Sequence, residues 1–316
     1  MKRSEEPPVS TTVTRIRKRL SVITDHVTFK KVIKPLLQLL VTGIALYVVL
    51  KKSDFNKLTA IIRAADPFFL MLALFFFNLS KLFNALRLNR YLHTIGIRLS
   101  TMYNIRLYYL GMFYNLFLPG GIGGDGYKIY LLQKNHGVKM INIFSAVLWD
   151  RIGGMFALIF LSLLLLLQSS FALHFPALVP WTWIALAAIY PALYLLNKFL
   201  YPQFLPVFTI TAVDSALVQV SQTVSAYFVL QAVAVGTNHL DYLAIFLLST
   251  IATILPFTIG GAGAREITFF YLLGIIRLDT APGIALALIV FGMTVISSIA
   301  GVLVRMQHEK TVPEAS

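Results

Sequence analysis

Residues 156–167 read "FALIFLSLLLLL", twelve residues with one hydroxyl and no charge. A run of this kind has only two homes, the interior of a large core or a lipid bilayer. It is one of about eight comparable runs, near 32–50, 67–86, 101–118, 141–168, 180–199, 216–236, 242–258 and 281–304, and a helix needs about 20 apolar residues to cross. Strands of a membrane barrel would be short and would alternate, which these runs do not. The composition agrees: 58% of the 316 residues are hydrophobic and 13% charged, against about a quarter charged in soluble domains. The expected fold is therefore all-α, a polytopic transmembrane helix bundle of about eight spans.

The expected organisation is a basic tail over 1–31, one transmembrane domain over 32–305 and a short tail over 306–316. No cleavable signal peptide is evident, since the first apolar run follows a long polar stretch. Cysteine is absent, which removes disulfides, thiolate metal sites and cysteine nucleophiles. The formal charge is +14, and residues 1–34 carry nine Lys and Arg against Glu5, Glu6 and Asp25. A basic segment next to the first span marks the cytoplasmic side and attracts anionic lipid headgroups. Nucleic acid is not the expected partner, because Phe29 is the segment's only aromatic and the segment abuts a span. The loop Arg87–Arg98 would return to the cytoplasm. Residues 200–215, interrupted by Pro202 and Pro206, read as an interfacial linker.

Residues 118–128, "LPGGIGGDGYK", spell G-x-G-x-x-G through Gly121, Gly123 and Gly126. A dinucleotide loop would need a preceding strand, a βαβ unit and an acidic residue about 20 positions on. The preceding segment here is an aromatic-rich span. The later stretch 255–265, "LPFTIGGAGAR", repeats Leu, Pro, Ile and three glycines at a constant offset and also ends on a cation. The two define an internal repeat of two glycine-rich re-entrant segments, with Gly120, Gly121, Gly123, Gly124, Gly260, Gly261 and Gly263 as structural glycines. Each is followed by a short helical stretch, near 124–133 and 264–275. Non-helical backbone at membrane depth must be shielded from lipid. Glycine permits tight bends and close helix approach, and a helix N-terminus beside Lys128 or Arg265 suits an anion such as phosphate. Paired broken helices are also how many transporters build a site.

Ionisable groups inside a bilayer are costly and point to function. Asp125, Lys128, Asp150, Arg151, Arg265 and Glu266 are the candidate substrate-binding residues, with Asn115 placed to hydrogen-bond the broken helix. Neighbours on a helix diverge by about 100°, so Asp150–Arg151 and Arg265–Glu266 are not self-contained pairs. Asp125 would pair with Arg151 or Arg265, leaving a residual positive site for a lipid phosphate. Lys81, Arg87 and Arg106 read as cations snorkelling to headgroups. The histidines stand singly, without metal-ligand spacing, so neither metal nor cofactor is expected.

"NLFLPGGIGGDGYKIYLL", the Trp149-Asp150-Arg151-Ile152-Gly153-Gly154 span and "LPFTIGGAGAREITFFYLL" together resemble the lysylphosphatidylglycerol synthase transmembrane-region family. This is the flippase-like domain of multiple-peptide-resistance-factor proteins, also found standing alone. The resemblance runs from about 35 to 305. It implies an integral protein of a bacterial or archaeal cytoplasmic membrane that moves a phospholipid or lipid-linked precursor between leaflets. Gly123, Gly124 and Asp125 match the first signature, Arg151 the arginine of the next span, and Gly261, Gly263, Arg265 and Glu266 the second. Lys128 stands where relatives commonly carry Arg, so a bidentate phosphate contact becomes a point charge. No aminoacyl-transferring domain follows residue 305, so lysyl transfer is not expected.

The leading expectation is thus a lipid translocase or scramblase, not an enzyme. No Walker A motif supplies ATP drive. A membrane enzyme acting on lipid phosphates or polyprenyl-linked sugars is the alternative, with Asp125, Asp150 or Glu266 as base or metal ligand. A non-catalytic partner of a lipid-modifying enzyme is the third reading; beyond lipid, the partners to expect are such an enzyme or further copies of the chain in a homo-oligomer.

Overall fold

The computed structural model describes residues 55–117, 123–254 and 263–303, together with Gly43, Tyr47 and Gly261. Both expected tails, the span at 32–50 apart from Gly43 and Tyr47, and Gly120, Gly121 and Gly260 of the motifs lie outside the described residues.

Every regular element among the described residues is a helix. In order these are α1 (Phe55–Arg63), α2 (Pro67–Thr94), α3 (Thr101–Phe117), α4 (Gly123–His136), α5 (Met140–Leu167), α6 (Ser170–His174), α7 (Val179–Leu200), α8 (Phe208–Ala232), α9 (His239–Ile254), α10 (Ala264–Ile275) and α11 (Thr280–Leu303). Single 3₁₀ turns at Pro176–Leu178 and Pro202–Val207 lead into α7 and α8. Among the described residues, five stretches are long and apolar enough to cross a bilayer: Pro67–Thr94, Met140–Leu167, Pro176–Leu200, Pro202–Ala232 and Thr280–Ile299. The chain is an integral membrane helix bundle.

Local chemistry sets the helix limits. Asp66 caps α2 by accepting from the Phe68 amide at 2.8 Å, and Pro67 occupies the first turn, where its missing N–H costs nothing. The helix then runs 28 residues, about 42 Å. It continues to Thr94 rather than ending near residue 86, so the basic loop expected at Arg87–Arg98 is mostly helix. It can continue because Arg87 and Arg90 are neutralised by Asp150 and Asp214. The linker expected at 200–215 is also corrected. Its two prolines fall in the 3₁₀ turn, and from Phe208 the chain is already α8, whose Thr211 and Ser215 hydroxyls donate to carbonyls of their own helix.

The glycine motifs separate helices too short to span alone. Before them come α3 and α9, of 17 and 16 residues; after them come α4 and α10, of 14 and 12. Packing between the halves is reciprocal. Helix α3, before the first motif, packs on α11, which follows the second hairpin; α9, before the second motif, packs on α5, which follows the first. Helices α2 and α8 cross between them over an extensive contact. The crossing is close because Ala73 and Ala226 are fully buried there and Ser225 Oγ donates to the Ala73 carbonyl at 2.7 Å. Such reciprocity is what two copies of one unit would produce, in agreement with the sequence repeat.

Two large apolar cores, and a small third one around Leu58, Val233 and Ile284, follow from this arrangement. One gathers α2, α8, α9, α10 and α11 around Phe77, Phe246 and Phe269; the other gathers α2 to α5 around Leu92, Leu132 and Trp149. Outside them, Phe68, Met71, Phe75, Trp181 and Trp183 are exposed, as lipid-facing positions should be.

Candidate functional site

Polar groups collect at three places in this apolar frame. The first lies where α4 leaves its glycine motif. Gly124 packs against α3 so closely that a Cβ would fall on the Gly111 carbonyl, and a Cβ at Gly111 would strike the Lys128 side chain. Two glycines therefore bring α4 onto α3 and leave a channel for the lysine. Asn115 Oδ1 accepts from the Gly124 amide at 2.8 Å and satisfies a donor at the new helix start. The role expected of Asn115 is the one observed.

Asp125 stands in the first turn of α4, 6% exposed. It accepts from Lys128 Nζ at 3.3 Å and from Arg151 Nε, so one carboxylate gathers two cations. Of the two partners expected, Arg151 is the one present. Lys128 Nζ also lies over the Tyr108 ring, 4.5 Å from its centre. Arg151 is about 16 Å along α5 from Met140, and its side chain keeps 40% exposure.

The second cluster belongs to α2. Arg87, 3% exposed, donates through Nε to Asp150 Oδ1 at 2.7 Å, through Nη1 to Ser215 Oγ at 2.9 Å and through Nη2 to Asn84 Oδ1 at 3.0 Å. Gly154 makes room for the guanidinium, since a Cβ there would stand 3.0 Å from Arg87 Nη1 and Nη2. Asp150 and Arg151 thus serve different helices, as their angular separation requires. One expectation changes: Arg87 does not snorkel, because a buried carboxylate lies in reach; Asp150, a candidate substrate contact, has its Oδ1 on Arg87.

The third place is a cavity of about 200 Å³ between α2, α8, α9, α10 and α11. Lys81 and Arg265 both line it, with Glu266, Gln222, Ser225 and Thr250. Lys81 is about 21 Å along α2, mid-span and facing the cavity, not a headgroup. Gly263, at φ 86°, adopts the left-handed conformation that only glycine takes without strain, and opens α10. Glu266 Oε2 accepts from the Gly263 amide at 2.7 Å, which uses this carboxylate as the helix cap. Arg265 lies over the Phe246 ring at 5.4 Å, and its buried Nε has no hydrogen-bond partner. Lys81 Nζ lies 4.2 Å from the centre of the Phe77 ring.

The candidates therefore divide. Asp125, Lys128, Arg151 and Asn115 come together at the first motif, Arg265 and Glu266 at the second, and Asp150 stands apart with Arg87. Sequence reasoning undervalued Lys81, although a lysine inside "FFFNLSKLF" was the available signal. Among the described residues no three His, Asp or Glu side chains converge as a metal site would require.

Long apolar helices with buried charge clusters between them define a polytopic membrane protein. Residues 36–301 match the lysylphosphatidylglycerol synthase TM region, and the chain belongs to that family. No curated protein matches it.

Proposed function

We propose that this protein is a lipid translocase, flippase- or scramblase-like, which moves a phospholipid or lipid-linked precursor between the leaflets of a prokaryotic cytoplasmic membrane. The observation that carries the reading is the cavity holding Lys81 and Arg265, two cations without an ion-pair partner among the described residues, within a largely apolar bundle. A charge at bilayer depth costs about 3 kcal/mol on insertion scales and is kept for function. An unpaired cation pair lowers the cost of bringing in an anion.

The headgroup would pass between the helices while the acyl chains stay in lipid against exposed faces such as that of Phe68, Met71 and Phe75. Asp125 would hold Lys128 and Arg151 ready at the first motif, and Glu266 would fix the start of α10 at the second. The basic tail at 1–31 would sit on the cytoplasmic leaflet against anionic headgroups.

The test is reconstitution into vesicles with a fluorescent phospholipid whose inner-leaflet fraction is protected from a membrane-impermeant quencher. Wild type is expected to expose that fraction within minutes, and Arg265→Ala and Asp125→Ala to slow it at least tenfold. Wild-type vesicles indistinguishable from protein-free vesicles would refute the reading. Chemical conversion of the lipid without translocation would show an enzyme instead.

A further inference from the structure

We infer that Lys81 and Arg265 form a phosphate-ester subsite, so that the anion binds beside the start of α10, while at the start of α4 the corresponding cation, Lys128, is already met by Asp125. The inference rests on the translocase reading and assigns to one half of the protein the step that recognises the headgroup.

The argument begins with register. At the constant offset between the motifs, Lys128 corresponds to Arg265 and Asp125 to Ala262. Both cations lie over an aromatic ring supplied by the helix before the motif, Tyr108 on α3 and Phe246 on α9. The halves differ in what covers the cation. Lys128 is met by Asp125. Arg265 has alanine in that register, and the carboxylate beside it, Glu266, is turned back onto the Gly263 amide.

Donor use in the cavity points the same way. Ser225, Thr250 and Thr294 spend their hydroxyl hydrogens on the carbonyls of Ala73, Phe246 and Val290. That leaves the Lys81 ammonium, the Arg265 guanidinium and the Gln222 amide as lining donors without a hydrogen bond among the described residues. Ring faces hold the two cations in place without consuming their N–H groups. A planar guanidinium beside a compact ammonium suits a tetrahedral phosphate, the first by a two-toothed contact and the second as a point charge.

Charge selects among phosphates. Two cations and one carboxylate leave a single positive charge, which balances a phosphodiester monoanion. A diphosphate would bring surplus negative charge into a low-dielectric space. The cavity of about 200 Å³ is some six times the roughly 30 Å³ share of a liquid water. It admits a phosphate with part of its shell.

Binding is measured on the purified full chain in a phosphate-free glycoside detergent, by thermophoresis. The probes are dihexanoyl phosphatidylglycerol, dihexanoylglycerol lacking the phosphate, inorganic phosphate and a short polyprenyl diphosphate. Wild type is expected to bind the phosphodiester at least tenfold more tightly than the phosphate-free analogue and the diphosphate. Lys81→Gln and Arg265→Gln should each weaken it about tenfold or more, Arg265→Lys less, and Lys57→Gln, which removes a charge outside the cavity, not at all. Size-exclusion profiles and melting curves establish that each variant is folded. Equal binding of inorganic phosphate would keep the subsite and make its source a soluble ion. Unchanged affinity in folded Lys81→Gln, or equal binding of the phosphate-free analogue, would overturn the subsite. Tight phosphodiester binding with no wild-type translocation would instead remove the translocase reading and leave the subsite standing.

Discussion

Replacing Asp150 by alanine strands Arg87, a guanidinium 3% exposed, between α2, α5 and α8. The pair cannot be rescued by water as a surface pair would be, because the Asp150 side chain is only 12% exposed. Arg87 would retain its bonds to Ser215 and Asn84 but lose its counter-charge. Removing one partner of a buried ion pair costs about 3–5 kcal/mol, whereas replacing both with apolar groups of similar volume is often neutral or better. Asp150→Ala should therefore lower the midpoint of thermal unfolding in detergent markedly, and the double variant Arg87→Met with Asp150→Leu should recover most of the loss. The assay is fluorescence-detected size exclusion after graded heating, run on wild type, both single variants and the double. A double variant no more stable than the worse single would show that the two residues do not act as a closed pair. So would an Asp150→Ala chain as stable as wild type, and Asp150 would return to the set of substrate contacts.

Other expectations follow from single contacts. Gly124→Ala puts a methyl group on the Gly111 carbonyl and should cost about 1–3 kcal/mol or more by overpacking, read as a lower melting midpoint and faster proteolysis near α4. Asn115→Ala removes the acceptor of the Gly124 amide and should cost about 1–2 kcal/mol, with hydrogen exchange rising first at the start of α4. Glu266→Ala should loosen the start of α10 to a similar degree, since it bares the Gly263 amide. Lys57→Ala breaks a pair with Asp279 whose side chains are about half exposed and should shift stability by under about 1 kcal/mol.

The course of the chain shows how much each level decides. Helices were legible from apolar runs because lipid leaves the backbone no partner but itself, and α10 begins and ends where the sequence placed a short helix, at 264 and 275. The C-terminal end of α2 and the start of α8 were misjudged for one reason. Charge and proline are poor stop signals when a distant residue neutralises the charge or a 3₁₀ turn absorbs the proline.

The amino-acid sequence alone determined the all-helical class, the pairing of the glycine motifs and the sorting of Asp150 and Arg151 onto different faces, because each depends on local periodicity or on spacing along one helix. Only the tertiary structure decided which charges are closed and which are open. Arg87 meets Asp150 across 63 residues, and Lys81 faces the same cavity as Arg265 from a helix distant in the sequence. Nothing in the spacing of either residue encodes such a meeting. Coulomb energy in a dry interior depends on separation in space, and that separation exists only once α2 has packed against α8, α3 and α5.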